Sequence, residues 1–172
     1  RTHHNISATG GSDRVRFFAS IGYLNEDGNI DNYGYNRLNL RSNIDAKLTK
    51  SLTFTLGVSG RIEKRDSPRY SANPDDWHNV PQQVIRALPY VPDTYEYEGK
   101  TYNVSTPTAS SPVAPLASIN ESGYSKSNYS YIQSNFSLKY DAPWLKGLSF
   151  KFQGAYDLTY NFSKILSNPY EV

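Results

Sequence analysis

Hydrophobic and polar residues alternate along six stretches of the chain, which is the pattern of a β-strand with one apolar face. The clearest stretch runs from Ser51 to Glu63, where every second residue from Leu52 to Ile62 is apolar or glycine. The stretch from Gly147 to Phe162 repeats this pattern without a charged residue in its apolar row. The alternation predicts six strands, at about residues 4–10, 14–24, 35–48, 51–65, 128–140 and 147–162.

The predicted strands are too long for an ordinary soluble sheet. Three of them span about 13 to 16 residues, whereas strands of globular proteins average about 5 or 6 residues and a tilted transmembrane strand needs about 9 to 11. The apolar row alone fits either a protein core or a lipid surface, so strand length and the alternation of short with long connections decide. They predict an all-β fold of antiparallel up-and-down strands, part of an outer-membrane β-barrel with short periplasmic turns and long extracellular loops.

The segment from residue 66 to 127 holds eight of the ten prolines, which excludes a run of central strands. We predict a long extracellular loop with a short helix at about residues 80–88, because Asn79 can cap a helix that ends before Pro89. Loops of this length are usually functional. Aromatic side chains in this loop are candidates for contact with a substrate or a lid partner, the alternative being that they pack the loop itself. The candidates are Trp77, Tyr95, Tyr97 and Tyr102.

The composition narrows the possible chemistry. The chain has 18 Lys and Arg against 16 Asp and Glu, and this net charge of +2 gives no reason to expect a nucleic-acid partner. No apolar run approaches the roughly 20 residues that a transmembrane helix needs. The absence of cysteine excludes thiolate metal sites and cysteine nucleophiles, and the three histidines lack metal-ligand spacing. We therefore predict no catalytic residue, no metal and no cofactor, and we do not expect an enzyme.

Several short strings stand in a specific order along the chain. They are residues 4–7 (His-Asn-Ile-Ser), 18–23 (Phe-Ala-Ser-Ile-Gly-Tyr), 34–37 (Gly-Tyr-Asn-Arg), 41–45 (Arg-Ser-Asn-Ile-Asp) and 144–149 (Trp-Leu-Lys-Gly-Leu-Ser). In this order they resemble the SusC/RagA family of TonB-dependent outer-membrane transporters. The resemblance covers nearly the whole chain outside the long loop.

The resemblance implies a large barrel of about 22 strands around an amino-terminal plug, in the cell outer membrane of a Gram-negative, Bacteroidetes-like bacterium. It further implies energy from the TonB complex, a SusD-like surface lipoprotein as partner, and oligosaccharides or peptides as substrates. Six strands do not close such a barrel, and neither a plug domain nor a TonB box is found in the 172 residues. The chain begins at Arg1 and contains no methionine, so we expect a piece of a longer polypeptide.

Charged residues occupy the polar rows of two predicted strands. If the apolar rows face lipid, the polar rows face the lumen of the barrel. There they contact the solute or the plug, or they form an ordinary hydrated wall. The residues predicted to face the lumen are Arg37, Arg41, Asp45, Arg61 and Glu63.

The function predicted from these features is part of a TonB-dependent transporter that imports glycans or peptides with a SusD-like partner. The alternative is a soluble all-β carbohydrate-binding module or adhesin, since its core would produce the same alternation. A glycan-cleaving enzyme is a third possibility only because Asp and Glu occur in the long loop.

Overall fold

The computed structural model describes residues 1–69, 80–107 and 114–169. The described residues form eight strands and two short helices. Their bounds are β1 Thr2–Gly11, β2 Val15–Asp27, β3 Gly34–Lys47, β4 Leu52–Pro68, α1 Val80–Arg86, β5 Thr94–Tyr97, β6 Lys100–Asn103, α2 Pro115–Asn120, β7 Gly123–Asp141 and β8 Ser149–Ser167.

Six of the strands form one antiparallel sheet in the order β1-β2-β3-β4-β7-β8, and β5 pairs with β6 in a separate hairpin. Sequence neighbours are therefore sheet neighbours, apart from the insertion between β4 and β7. The six strands are 10 to 19 residues long. The predicted all-β, antiparallel fold class is confirmed.

The observed elements differ from the predicted ones mainly at their ends. Strand β7 begins at Gly123 rather than near residue 128, and β8 continues to Ser167 rather than ending near residue 162. The first five residues of β7 contain no aliphatic side chain, so the alternation carries no signal there. The Oγ atoms of Ser127 and Ser163 nevertheless form a hydrogen bond of 3.0 Å between these two strand ends.

The helices also differ from the prediction. Helix α1 ends at Arg86, two residues before the predicted end, and the Leu88 carbonyl instead accepts a turn hydrogen bond from the Val91 amide at 3.0 Å. Helix α2 was not predicted, because its six residues are too few for a helical periodicity. Its start is nevertheless explained by Pro115, since proline is well suited to the first turn of a helix. No described helix has the length and apolar character required to cross a membrane.

The chain divides into two compact units. Unit 1 contains residues 1–26, 35–64 and 128–162, and unit 2 contains residues 27–34, 65–127 and 163–172. Unit 1 holds most of the six long strands and three short connections. In the first of these connections, the Ser12 amide donates to the Val15 carbonyl at 2.6 Å, which closes a tight turn.

The two faces of the strands in unit 1 differ in chemistry. Because side chains alternate across a strand, the paired residues Ile6 and Ile21 lie on the same face. On this face, rings cover glycines of neighbouring strands: Phe136 packs where a Cβ on Gly154 would lie, and its centroid is 5.8 Å from that of Phe152. An aromatic ring packed over a strand glycine in this way fills the space that the missing side chain leaves.

Unit 2 has a small core between its two helices. Val80 in α1 and Ala117 in α2 are fully or almost fully buried. The buried Ser118 hydroxyl donates to Oε1 of Gln83 at 2.9 Å, so a hydrogen bond between side chains joins the helices. The side-chain amide of Asn103, at the end of β6, donates a hydrogen bond of 2.8 Å to the Glu121 carboxylate. This bond connects the β5–β6 hairpin to the residue that follows α2.

Candidate functional site

The apolar face of unit 1 is exposed over all the strands. Many of its large side chains are exposed, Ile6 to 71%, whereas Leu38, Phe54 and Leu56 are half-buried. Soluble monomers rarely expose a continuous apolar surface of this kind, so we infer that lipid or protein covers this face. Representative members are Ile6, Phe17, Ile21, Leu40, Val58, Ile62, Ile132, Phe136, Phe152 and Leu158.

The opposite face of unit 1 is polar and contains an ion pair between Arg61 and Glu63. Nε of Arg61 lies 3.0 Å from Oε1 of Glu63, two residues further along β4. The Arg61 guanidinium also lies over the Tyr131 ring of β7, 4.4 Å from its centroid. Glu63 is only 4% exposed, so its carboxylate depends on partners such as Arg61 for stability.

Two cavities of about 480 and 440 Å³ open on this polar face. They share four lining residues, Arg41, Ser59, Gln133 and Asp157. The first cavity extends to Asn43, Gly57 and Asn135, and the second extends to Asn39, Arg61 and Tyr131. We call the two together the polar trough. It crosses four strands, β3, β4, β7 and β8, and lies entirely within unit 1.

Gly57 forms part of the floor of the polar trough. A Cβ at this position would clash with Oδ1 of Asn135 and would lie 3.2 Å from Oδ1 of Asn43. The two carboxamides therefore converge over the glycine from the two neighbouring strands, β3 and β7. Glycine is needed here for space rather than for an unusual backbone angle.

The five residues predicted to face the lumen lie at alternating positions of two strands. On β3 these are Arg37, Arg41 and Asp45, and alternation places them on one face. Arg41 lines the polar trough and Asp45 is exposed beyond it. Nε of Arg37 is buried and has no hydrogen-bond partner among the described residues. On β4, Arg61 and Glu63 form the ion pair described above.

The predicted contact tyrosines share one face of the β5–β6 hairpin. Tyr95 pairs with Tyr102 and Tyr97 pairs with Lys100 in the register, so all four side chains point the same way. The Tyr95 and Tyr102 rings stack with centroids 5.2 Å apart. Tyr97 does not share that stack and is 59% exposed. Trp77, the fourth candidate, lies outside the described residues.

The hairpin owes its geometry to its turn. Glu98 and Gly99 have φ values of 51° and 75°, which are the positive values of a two-residue type I′ turn. This turn fixes the register, and the register in turn brings the tyrosines together. A Cβ on Gly99 would meet nothing within 4 Å, so its requirement for glycine is conformational only.

Unit 2 contains a further cavity that the sequence did not predict. It has a volume of about 650 Å³ and is lined by residues from the β2–β3 connection, the end of β4, the end of α2 and the ends of β7 and β8. Its charged lining residues are Asp27, Asp31, Asp66 and Lys126. In the described part of the chain, no group of three or more His, Asp or Glu side chains is arranged to hold a metal ion.

These features define a class of protein. Long antiparallel strands with one exposed apolar face and one polar face are the features of part of a β-barrel wall. A chain of the RagAB peptide importer in its "closed-closed" state has the same fold, with a TM-score of 0.69 over 98% of this chain and 19% of that chain. The sequence identity is 22%, so this similarity concerns the fold.

A second similarity lies in the sequence. TonB-dependent receptor P39 of Formosa agariphila is 32% identical over 62 residues, which are 36% of this chain and 6% of that receptor. No family model matches the chain. The two similarities support a SusC/RagA-type TonB-dependent transporter, and the match is partial. The chain spans about a fifth of the RagAB chain, and its match to the receptor covers a much smaller share.

Proposed function

We propose that this chain is part of the barrel wall of a TonB-dependent transporter that imports glycans or peptides across the outer membrane. The observation that carries this proposal is the pair of faces on the long strands of unit 1. One face exposes a continuous apolar surface, and the other holds the polar trough. A bilayer and a water-filled lumen are the two surroundings that satisfy these faces at once.

In this proposal the wall encloses the pathway rather than performing chemistry. Apolar residues such as Leu56 and Phe136 face lipid. The polar rows with Arg37, Arg41 and Asp45 face the lumen, and the Arg61 guanidinium over the Tyr131 ring links β4 to β7. The similar proteins are named as a receptor and an importer, which supports transport rather than catalysis.

The partners follow from the resemblance. A plug outside these 172 residues would connect the barrel to the TonB complex, and a SusD-like surface lipoprotein would cover the extracellular side. The short connections of unit 1 would then face the periplasm. The β5–β6 hairpin would stand on the extracellular side, where its tyrosine face contacts the lid protein or the solute.

We expect the full-length transporter, solubilised from outer membranes, to copurify with a lipoprotein. Tyr97→Ala is expected to lower the amount of retained lipoprotein several-fold, because Tyr97 is exposed and takes no part in the Tyr95–Tyr102 stack. Thr101→Ala is the matched control, since Thr101 lies on the other face of the same hairpin.

The two readouts separate the possible roles of the tyrosine face. Loss of lipoprotein on Tyr97→Ala indicates contact with the lid, whereas unchanged retention with reduced solute uptake indicates contact with the solute. If neither changes, the tyrosines only pack the loop. A purified protein that brings no lipoprotein at all would contradict the proposed partner.

A further inference from the structure

Two lysines converge on one tyrosine ring in unit 2. Nζ of Lys126 lies 5.1 Å from the centroid of the Tyr124 ring, and Nζ of Lys164 lies 5.7 Å from the same centroid. Both distances are within the range of cation–π attraction, which extends to about 6 Å. The ring therefore holds one ammonium group from β7 and one from β8. We call these three residues the lysine cluster.

The strand register places the two lysines opposite each other. The Asn168 amide donates to the Ser122 carbonyl at 3.0 Å, and counting inward along both strands from this pair sets Lys126 against Lys164. The hydrogen-bonded serine hydroxyls near the same strand ends fit this register. Like charges directly opposite each other on a sheet repel. An anion bound to both ammonium groups would offset this repulsion.

The lysine cluster is not neutralised by a described carboxylate. Neither lysine forms an ion pair or a hydrogen bond with another described residue, and both side chains are exposed. Lys126 lines the cavity of unit 2, whose other charged lining residues are aspartates, but it pairs with none of them. The cluster therefore presents two cations to an external anion.

The lysine cluster continues the apolar rows of its two strands. Because side chains alternate along a strand, Tyr124 and Lys126 belong to the same row of β7 as Ile132. Lys164 belongs in the same way to the row of β8 that contains Leu158. In the proposed function these rows face lipid, and the long insertion before β7 is extracellular. The cluster then lies where the apolar rows reach the outer membrane surface.

This position and chemistry suit a lipid phosphate. Tyrosine and lysine are typical of the membrane–water interface, where the lysine stem lies along apolar surface and the ammonium group extends to the headgroups. An ammonium group binds phosphate as a compact charge with three N–H donors. The apolar rows beside the cluster offer a surface for acyl chains, which a free phosphate ion does not use.

We propose that the lysine cluster binds the phosphate group of a lipid in the outer leaflet. Lys126 and Lys164 donate to the phosphate oxygens, the Tyr124 ring holds the two ammonium groups beside each other, and the acyl chains lie along the apolar rows. This assignment rests on the proposed function, because these rows meet lipid only if the chain is part of a barrel wall.

The test measures binding of three probes to the full-length transporter in neutral detergent by native mass spectrometry. The probes are phosphatidic acid, which carries a phosphate monoester, phosphatidylcholine, whose phosphate is paired with its own choline cation, and inorganic phosphate. Lys126→Gln and Lys164→Gln are each expected to weaken the tightest binding of phosphatidic acid about tenfold, since each removes a charge-assisted hydrogen bond. Binding of phosphatidylcholine is expected to remain unchanged.

Lys151→Gln is the matched control for the charge. Lys151 lies on β8 in the row opposite to that of Lys164, so the variant removes a lysine from the other face of the same strand. It is expected to bind phosphatidic acid as the unaltered transporter does.

Thermal unfolding of the same preparations provides an independent readout. Without anionic lipid, Lys164→Gln is expected to raise the unfolding midpoint, because it removes the repulsion between the two lysines. Added phosphatidic acid is expected to raise the midpoint of the unaltered transporter more than that of the variant, since only the unaltered protein has the complete site.

Three results would overturn the assignment. The first is unchanged binding of phosphatidic acid in both lysine variants, and the second is an equal loss in Lys151→Gln. The third is binding of inorganic phosphate as tight as that of phosphatidic acid, which would indicate a site for a free anion. A transporter that remains in the outer membrane and copurifies with its lipoprotein in those cases would retain the proposed function without this site.

Discussion

Leu56→Arg is expected to abolish assembly of the protein in the outer membrane. Leu56 is the fifth of the 17 residues of β4, in the row of apolar side chains that we place against lipid. An arginine on the lipid face near the bilayer midplane costs about 2 to 4 kcal/mol. The measurement is the amount of folded, detergent-extractable protein in outer-membrane fractions.

Thr55→Arg provides the matched control for this prediction. Thr55 is the preceding residue of the same strand, so its side chain lies on the polar face. There an arginine remains in water, and the variant is expected to assemble normally. Normal assembly of Leu56→Arg would contradict a lipid-facing apolar row. In a soluble binding module, the same change would instead unfold a soluble core.

Gly123→Ala is expected to destabilise the start of β7 by about 2 to 5 kcal/mol. Gly123 has a φ of +99°, which costs a residue with a Cβ about 1 to 2 kcal/mol. The added Cβ would also clash with the backbone carbonyl of Leu166 in β8. Relieving such overpacking costs about 1 to 3 kcal/mol more. The shift would break the 3.0 Å hydrogen bond from the Asn168 amide to the Ser122 carbonyl.

Gly147→Ala separates the two causes of this destabilisation. Gly147 has a similar φ of +92°, but a Cβ there meets nothing within 4 Å. Only the conformational cost of about 1 to 2 kcal/mol is expected for this variant. Both variants are compared with the unaltered protein by denaturant unfolding in detergent. Equal losses would show that the close approach of Gly123 to Leu166 contributes nothing.

Much of the fold could be predicted because its strands carry their own signal. Alternation over β3, β4 and β8 marks both the element and its faces, since side chains on a strand repeat every two residues. The start of β7 carries no such signal, because a strand of serine, lysine and tyrosine is defined by its partner β8 rather than by its own hydrophobicity. Helix α2 is likewise held by contacts from a distance, such as the Ser118–Gln83 hydrogen bond.

The candidate site could be predicted only within single strands. The Arg61–Glu63 pair follows from two positions of one strand that share a face. The position of Asn135 beside Asn43 over Gly57 depends on the register of β7 against β4, and a connection of 54 residues separates these two strands. No local pattern fixes that register. The β5–β6 register is fixed locally by contrast, because the two-residue turn at Glu98 and Gly99 determines which tyrosines face each other.

The most direct test of the account is the mass and membrane fraction of the native polypeptide in its source cells. An antibody raised against residues 66–127 would detect it. We expect an outer-membrane species that requires detergent for extraction and is several times heavier than the 19.4 kDa of this chain. A soluble species of 19.4 kDa would contradict the account and would favour a soluble all-β binding module instead.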